Sequence, residues 1–203
     1  MKLYYAPAAC SLAPHIALRE AGLEFELEKV DLRTHKTADG ADYYGINPKG
    51  YVPALRLEDG ALLTEAGVVL QYIADRKPDT HLAAPAGTMG RYRQMEWLNF
   101  ISTEIHKVLG QLFKPNASAE LRQEVVERLK GRFDYVAKAL EHKEYLFGHV
   151  FCVADAYLFT VLSWTGFLKV DLSPWPALQQ YLARVAARPA VRQALVAEGL
   201  QKA

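Results

Sequence analysis

Hydrophobic and polar residues alternate with a period of two in several short runs of the first 80 residues. Lys2–Tyr5 is rich in β-prone residues, Phe25–Val30 alternates apolar with charged side chains, and Pro53–Leu57 alternates again. Such alternation is typical of strands that bury one face. Glu58–Gly60 then predicts a hairpin turn into a further strand over Ala61–Leu63.

Helical spacing lies between and after these strands. One helix is predicted over Ser11–Glu20, with Pro14 tolerated in its first turn and Gly22 as its stop signal. A second helix opens at Thr64 and ends near Pro78. The predicted order is β-α-β, a loop-rich stretch and then β-β-α, which indicates an α/β domain over residues 1–80.

A linker over residues 79–87 precedes a second half with helical periodicity throughout. Apolar residues keep this spacing from Leu121 to Leu140, and residues 154–167 are apolar on nearly all sides, which predicts a buried central helix. The pattern continues to Leu195 with an interruption at Pro189. We therefore predict an α/β plus all-α protein whose all-helical domain covers residues 87–203.

Composition and charge exclude several classes of function. The 24 Lys and Arg residues balance 23 Asp and Glu, and the resulting net charge of +1 argues against a nucleic-acid-binding protein. Every apolar stretch is interrupted well before the roughly 18 residues that a transmembrane helix needs, so no membrane association is expected. The six histidines lack metal-ligand spacing, so no metal site is expected.

The two cysteines, Cys10 and Cys152, do not form a disulfide framework in a chain of this length. Free thiols indicate a reducing compartment. The apolar stretch after Met1 resembles a secretory leader only weakly because Pro7 breaks it, so we expect a cytoplasmic protein. Cys152 precedes an apolar helix, and Asp155 is spaced to cap its backbone N–H.

Cys10 falls where the first predicted strand has ended and the first helix begins. Backbone N–H groups and the helix dipole stabilise a thiolate there, which lowers a thiol pKa below its ordinary value of about 8.5. Ser11 places a hydroxyl beside it. Ala13 stands where a dithiol redox protein has its second cysteine, so any disulfide of Cys10 would be mixed. The alternative is that Cys10 is a small buried hydrophobe.

Two further positions allow a binding or a structural interpretation. A cis Pro53 at a strand start would leave the backbone of Val52 able to pair with an extended ligand, whereas base rates favour an ordinary trans bond. Glu65 opens a helix, where it would hold a ligand amine while the N–H of Ala66 holds a carboxylate. Alternatively, Glu65 only complements the helix dipole.

The helix predicted over residues 91–112 carries polar residues opposite its apolar face. Asn99, Thr103 and His106 lie at i, i+4 and i+7, with Lys107 at their edge. This stripe would face a cleft between the domains, or simply solvent, as most polar helix faces do. The predicted core face consists of Leu98, Ile101, Ile105, Val108, Leu109 and Leu112.

Several short motifs occur together along the chain. They are Met1–Tyr5, Cys10–His15, Asn47–Gly50, Val52–Pro53, Leu63–Glu65, Glu96–Phe100, Glu104–Lys107 and Val153–Tyr157. Together they resemble the bacterial beta-class glutathione S-transferases, essentially from end to end. The resemblance implies a thioredoxin-like first domain, an all-helical second domain that forms the second-substrate site, a homodimer, and glutathione as co-substrate.

The resemblance also implies roles for individual residues. It implies that Cys10 forms a mixed disulfide with glutathione, that Tyr5 and Ser11 lie close to the sulfur, and that Glu104 reaches the site of the partner subunit. We expect Cys10 to dominate thiol–disulfide exchange, and Ser11 or His106 to matter more for conjugation. The implied glutathione-binding residues are His35, Val52, a cis Pro53, Glu65, Ala66, Asn99, Thr103, Glu104, His106 and Lys107.

The implied function is transfer of glutathione to hydrophobic electrophiles, a detoxification reaction, with thiol–disulfide exchange through Cys10 as a second activity. The alternatives are a glutathione-dependent isomerase or dehalogenase, and a non-catalytic binding or interaction protein on the same fold. Two departures from the class bear on the site. His35 stands where the class often has Lys, and Ala66 lacks the hydroxyl that many relatives outside the class carry there.

Overall fold

The computed structural model describes residues 1–202. Contacts divide the chain into two compact units: Met1–Ala83 together with the segment from Arg188 onward, and Ala84–Ala187. The first unit holds a five-stranded sheet and the second is helical. The predicted fold class, a thioredoxin-like α/β domain followed by an all-helical domain, is confirmed.

The sheet of the first unit has the order β3-β2-β1-β4-β5, in which β1 runs parallel to β2 and every other neighbour is antiparallel. Leu3 of β1 lies opposite Leu27 on one side and Leu55 on the other, so apolar side chains meet on one face. Leu3 and Leu55 are fully buried. The strands are β1 Lys2–Tyr5, β2 Glu26–Asp31, β3 Lys36–Thr37, β4 Ala54–Arg56 and β5 Leu62–Thr64. The two-residue strand β3 has no alternation of its own and was not predicted.

Three helices belong to this unit: α1 Leu12–Glu20, α2 Ala66–Arg76 and α8 Pro189–Ala197. The sequence pattern assigned α8 to the helical domain because its apolar spacing matches the helices before it. Its contacts lie with α1 instead. Arg188 forms an ion pair with Glu20 at 2.7 Å, and His15 lies 2.8 Å from Glu198. Such pairings between residues far apart in the chain leave no periodic signal in the sequence.

The second unit consists of α3 Met89–Phe100, a π-helical segment Ile101–His106, the short α4 Lys107–Leu109, α5 Ala119–Ala139, α6 Val153–Leu168 and α7 Pro176–Ala186. α6 is buried along nearly its whole length, as its apolar composition predicted. Across residues 1–202, none of the helices has both the length and the apolar character needed to cross a membrane.

The start of α6 is fixed by the carboxylate of Asp155, which is fully buried. It accepts hydrogen bonds from the backbone N–H of Cys152 at 3.0 Å and of Leu146 at 2.9 Å, and from the hydroxyl of Tyr181 at 3.1 Å. The predicted cap of Asp155 on Cys152 is confirmed. Burial raises the pKa of the Cys152 thiol well above its ordinary value, and the neighbouring Asp155 raises it further, so this cysteine stays protonated.

Candidate functional site

The loop between β1 and α1 presents Cys10 at the surface of the first unit. Ser11 is the N-cap of α1, so Cys10 stands at the helix entrance, as predicted. Its side chain is partly exposed. The thiol donates a hydrogen bond to the backbone carbonyl of Val52, with 3.1 Å between Sγ and O. A carbonyl oxygen at this distance favours the protonated thiol and therefore opposes the effect of the helix N-terminus.

A buried carboxylate from the C-terminal segment holds this loop. Ala8 has a left-handed backbone with φ of 62°, and its N–H donates to Glu198 Oε2 at 3.0 Å. Glu198 Oε1 lies 2.8 Å from His15 Nδ1, and both side chains are inaccessible to solvent. His15 Nε2 accepts a hydrogen bond from Nε of Arg19 at 2.9 Å. Because an arginine nitrogen only donates, His15 carries its proton on Nδ1 and donates it to Glu198.

Ser11 and Tyr5, both predicted near the sulfur, are buried beside this loop. Ser11 is fully buried, and its hydroxyl accepts from the N–H of Ala6 at 3.2 Å and donates to the carbonyl of the same residue at 3.3 Å. Tyr5 lies with its ring 6.2 Å from that of His15, and burial raises its pKa. The hydroxyl of Ser11 thus has a structural task in the loop; catalytic roles for both residues stay predictions.

The segment opposite Cys10 contains a cis peptide bond between Val52 and Pro53. The trans interpretation favoured by base rates was wrong, and the cis bond implied by the resemblance is confirmed. Val52 is only 6% exposed. Within the described chain its N–H donates no hydrogen bond, while its carbonyl accepts from Cys10. A backbone N–H without a partner in so little exposed a residue is uncommon in folded proteins, and here it belongs to the residue whose carbonyl meets the thiol.

Side chains from the preceding turn fix this segment from behind. The carbonyl of Tyr51 accepts hydrogen bonds from the Tyr43 hydroxyl at 2.8 Å and from the Asn47 amide at 2.7 Å. Tyr43 is fully buried, and burial raises its pKa to about 12. The backbone on both sides of Val52 is therefore held in place without any ligand.

Glu65 stands at the entrance of α2 in a left-handed conformation, with φ of 68°. Its carboxylate binds the ammonium group of Lys49 at 2.7 Å, and the same ammonium donates to the hydroxyl of Thr64 at 3.1 Å. The N–H of Ala66 makes no hydrogen bond within residues 1–202, as expected in the first turn of a helix. Sequence reasoning included Lys49 in a motif but gave it no role, because its partner is brought near only by the fold.

His35 directly precedes β3 and has a left-handed backbone conformation with φ of 52°. Its ring packs on that of Tyr44 with 4.4 Å between centroids. Its Nδ1 is buried and has no hydrogen-bond partner in the described chain. Gly50 closes the other side: a Cβ there would lie 2.7 Å from Cε1 of Tyr44 and 3.1 Å from the His35 ring. The ring is thus fixed, and its predicted role as a ligand stays a prediction.

In the second unit, the predicted regular helix over residues 91–112 was wrong in its middle part, since Ile101–His106 forms a π-helix. The core face itself is confirmed, since all six apolar residues predicted for it are buried. A π-turn inserts one residue, so the side chains after it are rotated by about 100° from their α-helical positions. π-turns inside helices occur frequently at functional sites. The insertion falls among the predicted polar site residues.

These polar residues differ in their surroundings. Asn99, Thr103 and Lys107 are exposed, as the solvated interpretation expected, and the Thr103 hydroxyl donates to the carbonyl of Asn99 at 3.1 Å. Glu104 is half-buried and accepts two hydrogen bonds from Arg132, at 2.8 and 3.2 Å, both on Oε2. Arg132 comes from α5 and was not singled out from the sequence.

His106 is the exception among them, because it joins a group of aromatic side chains. Its Nδ1 lies 2.7 Å from the hydroxyl of Tyr157, and its ring meets that of Trp164 edge-on at 4.8 Å. Phe113 also meets Trp164 in a T-shaped contact, with 5.3 Å between ring centroids, and remains 51% exposed. The imidazole is therefore oriented by a hydroxyl and bordered by an apolar surface. In residues 1–202, no group of three or more His, Cys, Asp or Glu side chains is arranged to hold a metal ion.

Two family models match the chain, one in each half. Residues 9–76 match the N-terminal domain of glutathione S-transferases, and residues 100–189 match the C-terminal domain. The N-terminal match covers the thiol loop, the cis proline and the start of α2. The C-terminal match begins at the π-helical segment.

Individual relatives and solved structures agree with these matches. The chain is 47% identical to the glutathione S-transferase GstA of Escherichia coli O157:H7, over 99% of this chain and 100% of the relative. BphK, a bacterial glutathione S-transferase solved as a ternary complex, has a TM-score of 0.96 at 54% identity, covering 98% of this chain and 100% of that one. A sphingomonad glutathione S-transferase solved with glutathione has a TM-score of 0.94 at 45% identity, covering 99% and 100%.

Proposed function

Because the chain belongs to the glutathione S-transferase family, we propose that it transfers glutathione to small hydrophobic electrophiles and that the groups around Cys10 bind glutathione. The observation that carries the proposal is the backbone of Val52. This residue is buried, its carbonyl accepts from the Cys10 thiol, and its N–H has no partner within the described chain. An extended peptide that pairs with this N–H and the adjacent carbonyl would be held like an added strand.

The other polar groups of the first unit match the remaining parts of the tripeptide. Glutathione carries one ammonium and two carboxylates. The Glu65 carboxylate suits the ammonium, and the Ala66 N–H at the start of α2 suits the adjacent carboxylate. The Nδ1 of His35, which has no hydrogen-bond partner among residues 1–202, is a candidate partner for the glycyl carboxylate. Lys49 holds the side chain of Glu65 in place and so would position it for the ligand.

A second activity, thiol–disulfide exchange, follows from Cys10. The thiolate of Cys10 attacks one sulfur of oxidised glutathione, a new bond forms to that sulfur, and the bond between the two glutathione sulfurs breaks. Reduced glutathione leaves as a thiolate and takes a proton from water. Because Ala13 occupies the place of a second cysteine, the product remains a mixed disulfide until another thiol attacks it.

For the second substrate we propose an aromatic or otherwise apolar electrophile, since Phe113 and Trp164 present an apolar surface beside His106. His106 is proposed to assist conjugation by donating or accepting a hydrogen bond at the reacting sulfur or leaving group. Asn99, Thr103, Glu104 and Lys107 stay proposed ligand contacts. A homodimer and a cytoplasmic location complete the proposal, the latter supported by two free thiols.

The conjugation assay uses an aromatic halide and reduced glutathione, with two variants. Glu65→Gln should raise KM for glutathione by about tenfold, because a charged partner of the ammonium is lost. Glu58→Gln, an exposed carboxylate in the β4–β5 turn, serves as the matched control and should leave KM unchanged. No turnover of any electrophile, with no retention on immobilised glutathione, would contradict the proposal and favour a binding or interaction protein.

The exchange activity is tested by intact mass after incubation with oxidised glutathione. One glutathionyl adduct is expected, removable by a reducing agent, present in Cys152→Ala and absent in Cys10→Ala. An adduct that persists in Cys10→Ala would overturn the assignment of Cys10. Substrate panels distinguish the isomerase and dehalogenase alternatives, since those enzymes act on different second substrates.

A further inference from the structure

The carbonyl of Val52 has two candidate partners in this site. In the structure it accepts the hydrogen of the Cys10 thiol, with 3.1 Å between Sγ and O. The N–H of the same residue is unpaired within the described chain, and the residue is buried. A ligand that adds a strand here would use both groups, because antiparallel pairing exchanges N–H and carbonyl together.

The hydrogen bond to Val52 and the start of α1 act on the thiol in opposite directions. A bond donated by the neutral thiol stabilises the S–H form, and a carbonyl oxygen repels a thiolate. The N-terminal end of α1 stabilises the thiolate. Without a ligand, Val52 therefore offsets part of the activation that the position of Cys10 would otherwise give.

We propose that glutathione activates Cys10 by taking the Val52 carbonyl from it. This inference rests on the proposed function and specifies how the site works. The cysteinyl N–H of the ligand donates to the Val52 carbonyl, and the Val52 N–H donates to the cysteinyl carbonyl. The S–H of Cys10 then no longer donates to the Val52 carbonyl, which favours release of its proton to water. A carbonyl can also accept from the ligand and from the thiol at the same time. In that case the ligand N–H still reduces the repulsion between the carbonyl and a thiolate, so the pKa of Cys10 is again lowered.

The other ionisable groups near the thiol do not reverse this direction. Tyr43, on the turn that supports Val52, interacts electrostatically with Cys10, and its pKa of about 12 keeps it neutral over the working range. Glu198 lies behind the loop with its two oxygens bonded to Ala8 and His15, and that arrangement does not involve the ligand. Tyr5 is buried, which raises its pKa. The carboxylates of the ligand act in the opposite direction, since a nearby negative charge raises the pKa of a thiol. In the proposed binding mode each of them is paired with a group of its own, the Ala66 N–H and the His35 ring, which weakens this effect.

The functional consequence is that Cys10 is most reactive when glutathione occupies the site. In the ligand-free protein the hydrogen bond to Val52 favours the protonated thiol, which is less open to unrelated oxidants than a thiolate. Oxidised glutathione, by contrast, brings the N–H that frees the thiolate together with the disulfide that it attacks. Backbone pairing thereby couples recognition of the peptide to activation of the nucleophile.

The test is a pH titration of thiolate absorbance, in the full chain, with and without saturating S-methylglutathione, which has no thiol of its own. Cys10→Ser is subtracted as the baseline, and Cys152 stays protonated because burial raises its pKa. We expect the ligand to lower the midpoint of the Cys10 titration by about 0.5 to 1 pH unit, the effect of one ordinary hydrogen bond. The matched ligand is the analogue in which an ester oxygen replaces the cysteinyl N–H, and it should not lower the midpoint.

Calorimetric binding of S-methylglutathione separates the two levels of failure. If the ligand does not bind, the proposed function itself fails. If it binds and the midpoint stays unchanged or rises, the proposed function stands and this inference is overturned. It is also overturned if the ester analogue lowers the midpoint as much as the amide, because the Val52 carbonyl would then not be the cause.

Discussion

The two units present their candidate functional groups in different ways. In the first unit the groups around Cys10 are largely backbone atoms, held by a cis proline, a buried carboxylate and a buried tyrosine. In the second unit they are side chains on a π-helical segment, and most of them are exposed. Where backbone atoms form the site, their positions depend on distant residues that hold the chain in place. Where side chains form it, the site depends directly on the identity of those side chains. Apart from Cys10 and the proposed ligand contact Glu65, substitutions around the site of the first unit should therefore act through stability, and those of the second unit through chemistry.

The largest expected effect is on catalysis and compares one residue of each unit. Cys10→Ala should reduce glutathionyl exchange by at least about 100-fold while leaving much of the conjugation activity. His106→Asn should reduce conjugation by about 10- to 100-fold and leave the glutathionyl adduct intact. Both activities are measured on the same preparations. Equal loss of both activities in Cys10→Ala would show that the proposed division between the two residues is wrong.

The next effect is on stability, through the carboxylate behind the thiol loop. Glu198→Ala removes the carboxylate that accepts from the part-buried N–H of Ala8 and from the buried Nδ1–H of His15, and should lower the free energy of unfolding by about 3 kcal/mol. The matched control is Glu104→Ala, whose pair with Arg132 is one-third exposed and should cost about 0.5 kcal/mol or less. Denaturant unfolding measures both variants. If both variants lowered the free energy of unfolding by similar amounts, the proposed difference between the two units would be wrong.

A smaller effect appears at alkaline pH. The folded pKa of Tyr43 is raised to about 12 by burial, above its ordinary value near 10. Stability from this group is complete below pH 10 and is lost as the pH rises toward 12, because the unfolded chain then releases a proton that the folded protein retains. The loss should reach about 2 kcal/mol. Tyr43→Phe should be less stable at neutral pH, but its free energy of unfolding should fall less steeply between pH 10 and 12 than that of the wild type. An equally steep fall in denaturant unfolding would contradict the assignment.

The smallest effect concerns two glycines with positive φ, Gly50 and Gly60. Alanine at either position should cost about 1 kcal/mol from the backbone alone. Only at Gly50 does the added Cβ meet other atoms, 2.7 Å from Tyr44 and 3.1 Å from the His35 ring. We therefore expect Gly50→Ala to weaken glutathione binding about threefold to tenfold, while Gly60→Ala leaves it unchanged. Unaltered binding in Gly50→Ala, measured by calorimetry, would argue against His35 as a ligand.

Local sequence signals predicted much of the fold. The spacing of apolar residues placed the strands near their observed positions and predicted that residues 154–167 are buried, because burial on one face or on all faces leaves a periodic record. The spacing of Asp155 from Cys152 predicted the cap of α6, since a cap is formed within one turn of helix. The position of Cys10 at a helix entrance could likewise be predicted, because strand and helix are adjacent in the chain.

The tertiary structure decided the features that depend on residues far apart in sequence or on backbone states without a residue signature. The acceptor of the Cys10 thiol lies 42 residues away at Val52, and the carboxylate that holds Ala8 comes from 190 residues further on. The π-turn at 101–106 and the cis bond before Pro53 are backbone states that the local residue pattern did not indicate. By itself, then, the sequence determined the elements and the thiol at the entrance of α1. The folded chain determined what holds that thiol and which group controls its proton, because such contacts form only when distant segments pack together.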